Sequence, residues 1–174
     1  MPPRYSLARR RAQELLKESK VKKAPVPIEE LASAVQARIR FEPFAGQLYG
    51  MVHRNPDGTA TIGVNSIDAP NRQRFTIAHE IGHLLLHKHE NLHVDEKSII
   101  GLRNDESSRA TDAKEIEANQ FAAELLMPVE FLDRDLRKLP HDIEAEEAVI
   151  RLARQYQVSV QAMTVRLTAL RVLA

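Results

Sequence analysis

The sequence His79-Glu80-Ile81-Gly82-His83 is the strongest chemical signal in this chain. Two histidines at positions i and i+4 of a helix project side by side from one face, which is the geometry that two ligands of one Zn²⁺ require. The glutamate beside the first histidine then lies near the metal, where its carboxylate can take a proton from bound water. The spacing therefore predicts that His79 and His83 bind a metal and that Glu80 is the catalytic base.

A metal held by two histidines needs a third protein ligand if one position is to stay open for water. The candidates downstream are His87, His89, His93 and the carboxylates of the next predicted helix. His89 has the interval of a known longer zinc motif, but Leu86 stands where that motif has the glycine that lets the chain turn. Continued helix through His87 would carry His89 away from the metal, so we do not favour it.

The carboxylate alternative lies in residues 115–128. On a helix, the face that carries Glu115 is otherwise small and partly polar, which suits close packing against the motif helix; its other members are Ala118, Asn119 and Ala122. Glu115 is therefore the favoured third ligand, and Asn119 could hold a ligand histidine through its free ring nitrogen. Two structural alternatives remain for the acidic side chains here. Asp112 and Glu115 could form a capping box, and Glu117 is expected to be an exposed charge.

The elements ahead of the motif change from helical to extended. Apolar spacing predicts a helix over residues 7–18, and a proline near the first turn marks a second over residues 28–35. Residues 38–44, 48–53 and 59–64 are rich in the β-branched, aromatic and leucine side chains typical of strands. The turn sequence Asn55-Pro56-Asp57-Gly58 predicts a hairpin between the last two strands. An antiparallel sheet of about three strands is the simplest arrangement.

From Pro70 onward the pattern is helical. An apolar stripe that begins at Ile77 predicts a buried face on the motif helix, and Gly82 within it indicates that another backbone approaches closely. Residues 89–111 are polar and irregular, and we expect a long loop there. The expected class is α+β in a single domain, residues 1–174, with N-terminal helices (1–37), a sheet (38–64), metal-site helices (70–127) and C-terminal helices (128–174).

Composition excludes several classes of protein. Cysteine is absent, which rules out a disulfide scaffold, a cysteine-ligated metal and a cysteine nucleophile. The 25 Lys and Arg residues nearly balance the 24 Asp and Glu residues, so the overall charge indicates neither a nucleic-acid partner nor a membrane partner. No stretch approaches the ~18 apolar residues of a membrane span, and the first residues lack an apolar signal core. We therefore expect a cytoplasmic protein.

Two blocks of the sequence together form a pattern that a known family shares. The first runs from Arg74 to His87 and contains the two histidines and the glutamate; the second, residues 115–128, carries Glu-x-x-Ala-Asn-x-Phe-Ala-Ala-Glu-Leu-Leu-Met-Pro. Smaller matches lie at Pro25-Val-Pro27, Gly46, Gly50 and residues 62–65 and 152–167. With these blocks, nearly the whole chain resembles the ImmA/IrrE family of zinc metallopeptidases.

The resemblance implies a zinc site in which His79, His83 and Glu115 bind one ion and Glu80 is the catalytic acid and base. It also implies an endopeptidase that cleaves a helix-turn-helix repressor, so that cleavage switches on mobile-element or stress-response genes. Tyr49 and His87 are the candidates for a group that stabilises the transition state.

Residues 152–162 favour a different class of protein. They resemble a helix-turn-helix with a break at Val158-Ser159, a serine able to cap the next helix, and nearby arginines at positions 151, 154, 166 and 171. The alternative function is therefore a DNA-binding regulator, or a toxin–antitoxin binding partner, with a degenerate peptidase site. We favour two packed helices joined by a tight turn, because the segment belongs to the peptidase resemblance and the net charge is +1.

Overall fold

The computed structural model of this chain describes residues 2–44, 48–88, 91–96, 105–140 and 142–172. Gly46 and His89 lie outside these residues. Within them the elements are, in order, α1 (Tyr5–Glu18), α2 (Ile28–Ala34), β1 (Ala37–Glu42), β2 (Leu48–Arg54), β3 (Ala60–Asn65), α3 (Pro70–Leu86), β4 (Leu92–Glu96), α4 (Asp105–Leu126), α5 (Val129–Leu136), α6 (Ala145–Tyr156) and α7 (Val160–Ala169). The α+β class expected from the sequence is confirmed, with a small sheet followed by a helical C-terminal part.

The sheet has the strand order β1-β3-β2-β4 among the described strands. The predicted hairpin is confirmed, since β2 and β3 pair antiparallel with Gly50 opposite Val64. The sheet is nevertheless mixed and not purely antiparallel, because β1 pairs in parallel with β3. β3 lies between β1 and β2 and is the most buried of these three strands.

The expected loop over residues 89–111 is wrong in the part that the structure describes. Residues Leu92–Glu96 form β4, which pairs antiparallel with β2, and α4 already begins at Asp105. A hydrophobicity pattern does not predict this strand, because its apolar residues face solvent and its polar residue faces the interior. Leu92 and Val94 are 55% and 38% exposed, whereas the side chain of His93 between them is 13% exposed.

Helices α3 and α4 pack closely and place the two sequence blocks beside each other. The apolar stripe of α3 is buried as predicted, with Ile77, Ile81 and Leu84 at most 6% exposed. The close approach predicted from Gly82 is also confirmed, because a Cβ at this position would lie 3.2 Å from the Cα of Ala118 in α4. Each large apolar side chain buried in this way stabilises the fold by about 1.5–3 kcal/mol.

The C-terminal helices pack through a buried polar cluster. Asp135 of α5 accepts hydrogen bonds from the Tyr156 hydroxyl at 2.9 Å and from Gln155 at 2.8 Å, which holds α6 against α5. Arg166 is 5% exposed and donates to Glu124 and to the Met127 carbonyl. Arg166, one of the four arginines that suggested a helix-turn-helix, is therefore buried and paired inside the protein. No helix among the described residues has the length and apolarity needed to cross a membrane.

Candidate metal centre

Helix α3 carries the two histidines and the glutamate of the motif in its buried middle. His79, Glu80 and His83 are 2%, 0% and 2% exposed. The two rings lie side by side, as an i, i+4 pair on a helix must, and their Nε2 atoms are 3.0 Å apart. Both histidines therefore present the same ring nitrogen to one point in space.

Helix α4 brings Glu115 to that point. Its Oε2 lies 3.2 Å from His79 Nε2, and its Oε1 lies 3.4 Å from His83 Nε2. Ligand atoms on a tetrahedral Zn²⁺ at bond lengths of about 2.0–2.1 Å are separated by about 3.3–3.4 Å, so the three donors have nearly the spacing that one ion requires. The capping-box alternative for Glu115 is wrong, because α4 begins at Asp105 and Asp112 lies well inside it.

The protonation states of His83 and Glu115 also suit the binding of a cation. Burial lowers the pKa of His83 to about 3, so the ring is neutral near pH 7 and has a lone pair to offer. Burial also opposes ionisation of Glu115, but the adjacent rings of His79 and His83 outweigh it, and the net effect lowers the pKa of this carboxyl. A neutral imidazole and an ionised carboxylate are the forms that bind metals.

Asn119 supports His79 from behind. Its Oδ1 lies 3.0 Å from His79 Nδ1, on the opposite side of the ring from the nitrogen that faces Glu115. A hydrogen bond at this atom fixes the ring orientation and keeps the lone pair on Nε2. Asn119, one helical turn after Glu115, therefore contacts the free ring nitrogen of His79, as its spacing suggested.

Glu80 is buried between α3 and β2. A Cβ placed on Gly50 of β2 would lie 3.3 Å from Glu80 Oε1 and would collide with the methyl group of Thr76. Only a residue without a side chain lets β2 approach α3 this closely. The glycine therefore determines how near the sheet lies to the Glu80 carboxylate.

His93 is a fourth donor that the sequence analysis mentioned but did not select. It lies opposite Val52 in the β2–β4 pairing, its ring stacks on that of His83 at 3.5 Å, and its Nε2 is 3.4 Å from Glu115 Oε1. Ligand atoms of His79, His83, His93 and Glu115 all lie within 4.8 Å of one another. No hydrophobicity pattern identifies His93 in the sequence, because its apolar neighbours Leu92 and Val94 are the exposed residues of this strand.

The two candidates for transition-state stabilisation are placed differently. The ring of Tyr49 lies under the Arg72 guanidinium, 3.6 Å from its Cζ. His87 stands behind His83, with the Nδ1 atoms of the two rings 3.0 Å apart, so it contacts the side of His83 that faces away from Glu115. This geometry favours a positioning role for His87 over contact with a bound substrate.

The expectation that Glu117 is an exposed charge is wrong. This residue is 3% exposed, and its carboxylate accepts hydrogen bonds from the Arg4 side chain at 2.7 and 3.0 Å. These bonds, chief among the causes, lower the pKa of Glu117 to about 2. A cation from the start of α1 is what permits a buried carboxylate at this position.

Comparisons with known proteins agree with this architecture. A family model described as peptidase M78, IrrE N-terminal-like domain, matches residues 32–168. No curated protein sequence matches the chain. Among solved structures, a Mycobacterium tuberculosis transcriptional regulator is similar in fold, with a TM-score of 0.60 and 16% identity. The match covers 92% of this chain and 46% of that one, so the chain spans about half the length of that regulator.

Proposed function

The chain belongs to the peptidase M78 family of IrrE N-terminal-like domains, and we propose that it is a zinc-dependent endopeptidase. The observation that carries this proposal is the convergence of three donors from two helices at nearly tetrahedral spacing. His79, His83 and Glu115 would hold one Zn²⁺ there, and the neutral ring of His83 and the ionised carboxylate of Glu115 suit that ion.

When bound, zinc supplies Lewis acidity to the scissile carbonyl and lowers the pKa of an attacking water. Glu80, which is buried next to His79 in the sequence of α3, would take a proton from the attacking water and deliver it to the leaving nitrogen of the peptide bond. Asn119 keeps the His79 ring in the orientation that binding requires. His93 stacks on His83 with its Nε2 3.4 Å from Glu115 Oε1, and its proposed role is to donate a hydrogen bond to the substrate carbonyl oxygen.

We infer that the substrate enters along β4, which lies at the edge of the sheet among the described strands and carries His93. An extended peptide that pairs with this strand would pass His93 and reach the donors. The resemblance to ImmA/IrrE peptidases makes a helix-turn-helix repressor in the cytoplasm the substrate we propose, with derepression of mobile-element or stress-response genes as the result.

The roles of Glu80 and Glu115 are separated by two variants. Glu80→Gln keeps the shape of the side chain and removes the base, so it should retain about one zinc per chain and lose peptide cleavage. Glu115→Ala removes a ligand and should lose both. Elemental analysis and a cleavage assay on the same preparations give the readouts. Loss of zinc from Glu80→Gln would show that Glu80 is a ligand and not the base.

The substrate is tested by co-expression with helix-turn-helix repressors encoded near this chain. One of them should give a single discrete product, and neither a chelator-treated sample nor the Glu80→Gln variant should give it. Intact repressors together with degradation of an unrelated unfolded protein would reject the repressor while leaving the peptidase in place. A Glu80→Gln variant with full biological effect would instead support a protein that acts by binding alone.

A further inference from the structure

A continuous series of side-chain contacts runs from the start of α1 to the metal-facing histidine. Arg4 contacts Glu117, Glu117 Oε2 lies 3.1 Å from His87 Nε2, and His87 Nδ1 lies 3.0 Å from His83 Nδ1. The other nitrogen of His83, Nε2, faces Glu115. The side chains of Glu117, His87 and His83 are 5%, 3% and 2% exposed, so the contacts lie in the interior.

The direction of each hydrogen bond follows from the chemistry of its partners. An ionised carboxylate can only accept, so His87 donates from Nε2 to Glu117. When the His87 ring carries only this one proton, its lone pair is on Nδ1 and can accept from the Nδ1–H of His83, which lies within hydrogen-bond distance. With its proton on Nδ1, His83 carries its lone pair on Nε2, the nitrogen that faces His79 and Glu115. The series therefore specifies the tautomer that metal binding needs.

Arg4 fixes the carboxylate of Glu117, which is the first acceptor in this series of hydrogen bonds. Its backbone nitrogen and Nε donate to Oε1 at 2.8 and 3.0 Å, and its second guanidinium nitrogen donates to Oε2 at 2.7 Å. A bidentate pair of this kind sets the rotation of the carboxylate as well as its charge. The remaining capacity of Oε2 is then aimed at His87.

The far end of α3 is also fixed. Arg54 of β2 donates to the carbonyl of Leu84 at 2.7 Å, in the last turn of α3, which ends at Leu86 with His87 as its C-cap. Since the last carbonyls of a helix lack partners within it, this contact holds the final turn, and hence the backbone that carries His87, against the sheet.

We propose that Arg4, Glu117 and His87 are positioning residues that set the tautomer and orientation of His83 for metal binding. The inference rests on the proposed zinc site. It extends that site to α1, which lies before the residues that match the family. Loss of such a partner typically weakens metal affinity by about 10–100-fold.

The test compares matched substitutions on α4 and α1. Glu117→Met removes the acceptor at similar length, and Glu124→Met is its control, because Glu124 is an equally buried carboxylate on α4 that pairs with Arg166 instead. Arg4→Ala removes the guanidinium at the N-cap of α1, and Arg10→Ala within α1 is its control, because Arg10 pairs with Glu14 at the surface.

Two readouts are measured on each full-length chain. Zinc affinity by chelator competition should fall about 10–100-fold for Glu117→Met and about tenfold for Arg4→Ala, with both controls unchanged. Long-range ¹H–¹⁵N spectra of the metal-free chains should show His83 protonated on Nδ1 in the wild type and in both controls. Glu117→Met should lose this single tautomer, while His79, which Asn119 holds, keeps its own.

Equal zinc affinities of Glu117→Met and Glu124→Met, with an unchanged His83 tautomer, would overturn the proposal. If Glu117→Met does not fold, the pair Arg4→Ala and Arg10→Ala decides, and equal affinities of these two would also overturn it. A wild type that binds no zinc rejects the proposed function instead. The tautomer of His83 in the metal-free chain still tests the positioning series in that case.

Discussion

Gly50→Ala tests how closely β2 must approach the motif helix. The new Cβ would collide with the Thr76 methyl group and would lie 3.2 Å from the Gly63 carbonyl oxygen. Thr76 is fully buried, so its methyl has no empty space to move into, and β2 must shift away from α3. Overpacking of this kind destabilises a fold by about 1–3 kcal/mol, partly offset by the ~0.5–1 kcal/mol that alanine gains over glycine in a strand.

The second substitution, Thr76→Ser, removes the methyl group that collides and keeps the hydroxyl. By itself it should destabilise the fold by about 1 kcal/mol, since one buried carbon is lost. In the double variant the methyl group introduced by Gly50→Ala occupies the space that the Thr76 methyl left. We therefore expect the double variant to be more stable than the sum of the single effects by about 2 kcal/mol.

Equilibrium urea unfolding of the wild type, the two single variants and the double variant gives the coupling free energy between positions 50 and 76. The slope of unfolding free energy against urea must be the same for all four proteins. Zinc content, measured alongside, shows whether the site survives. Single effects that add to within about 0.5 kcal/mol would refute the close approach of Gly50 to Thr76. The position of β2 beside Glu80 would then be wrong as well.

Three further predictions concern the neighbours of the site and the C-terminal helices. His93→Ala should reduce cleavage by about 100-fold with zinc affinity changed less than tenfold, and a loss of affinity as large as for Glu115→Ala would make His93 a ligand. Gly82→Ala should change the stability in urea by a loss of about 0–2 kcal/mol, because its Cβ would lie 3.2 Å from the α4 backbone while alanine gains ~1 kcal/mol over glycine in a helix; a gain of the full ~1 kcal/mol would contradict the packing of α3 on α4. Hydrogen bonds, chiefly from Arg134, lower the pKa of Asp135 to about 2, so its stabilisation is complete above pH ~4 and is lost as the pH falls toward 2. Asp135→Asn should therefore be less stable by about 2 kcal/mol at pH 7, with a flatter pH profile between pH 4 and 2, and equal profiles in urea unfolding would contradict this.

Local periodicity was sufficient to predict the helix pair that carries the candidate site. The i, i+4 spacing of His79 and His83 and the small face of α4 specify which side chains meet, since helix geometry fixes both. Gly82 indicated the close approach that Ala118 provides. Whether Glu115 binds a metal and Glu80 acts as a base stays a prediction, because these roles depend on an ion and a substrate.

The features that local patterns did not predict depend on distant partners. Glu117 is buried because Arg4, 113 residues earlier, neutralises it, and no window of sequence contains both. The parallel pairing of β1 with β3 is likewise a matter of topology, since β3 inserts between two strands that precede it in the chain. In β4 the hydrophobicity pattern points the wrong way, because His93 faces the site while Leu92 faces solvent.

The central claim is that His79, His83 and Glu115 together hold one zinc ion. An anomalous difference map from crystals grown with zinc, recorded above and below the zinc absorption edge, tests it most directly. One strong peak is expected about 2.0–2.2 Å from the two Nε2 atoms and the Glu115 carboxylate, present above the edge and absent below it. No peak among these three side chains, or a peak coordinated by Glu117 in place of Glu115, would contradict the account.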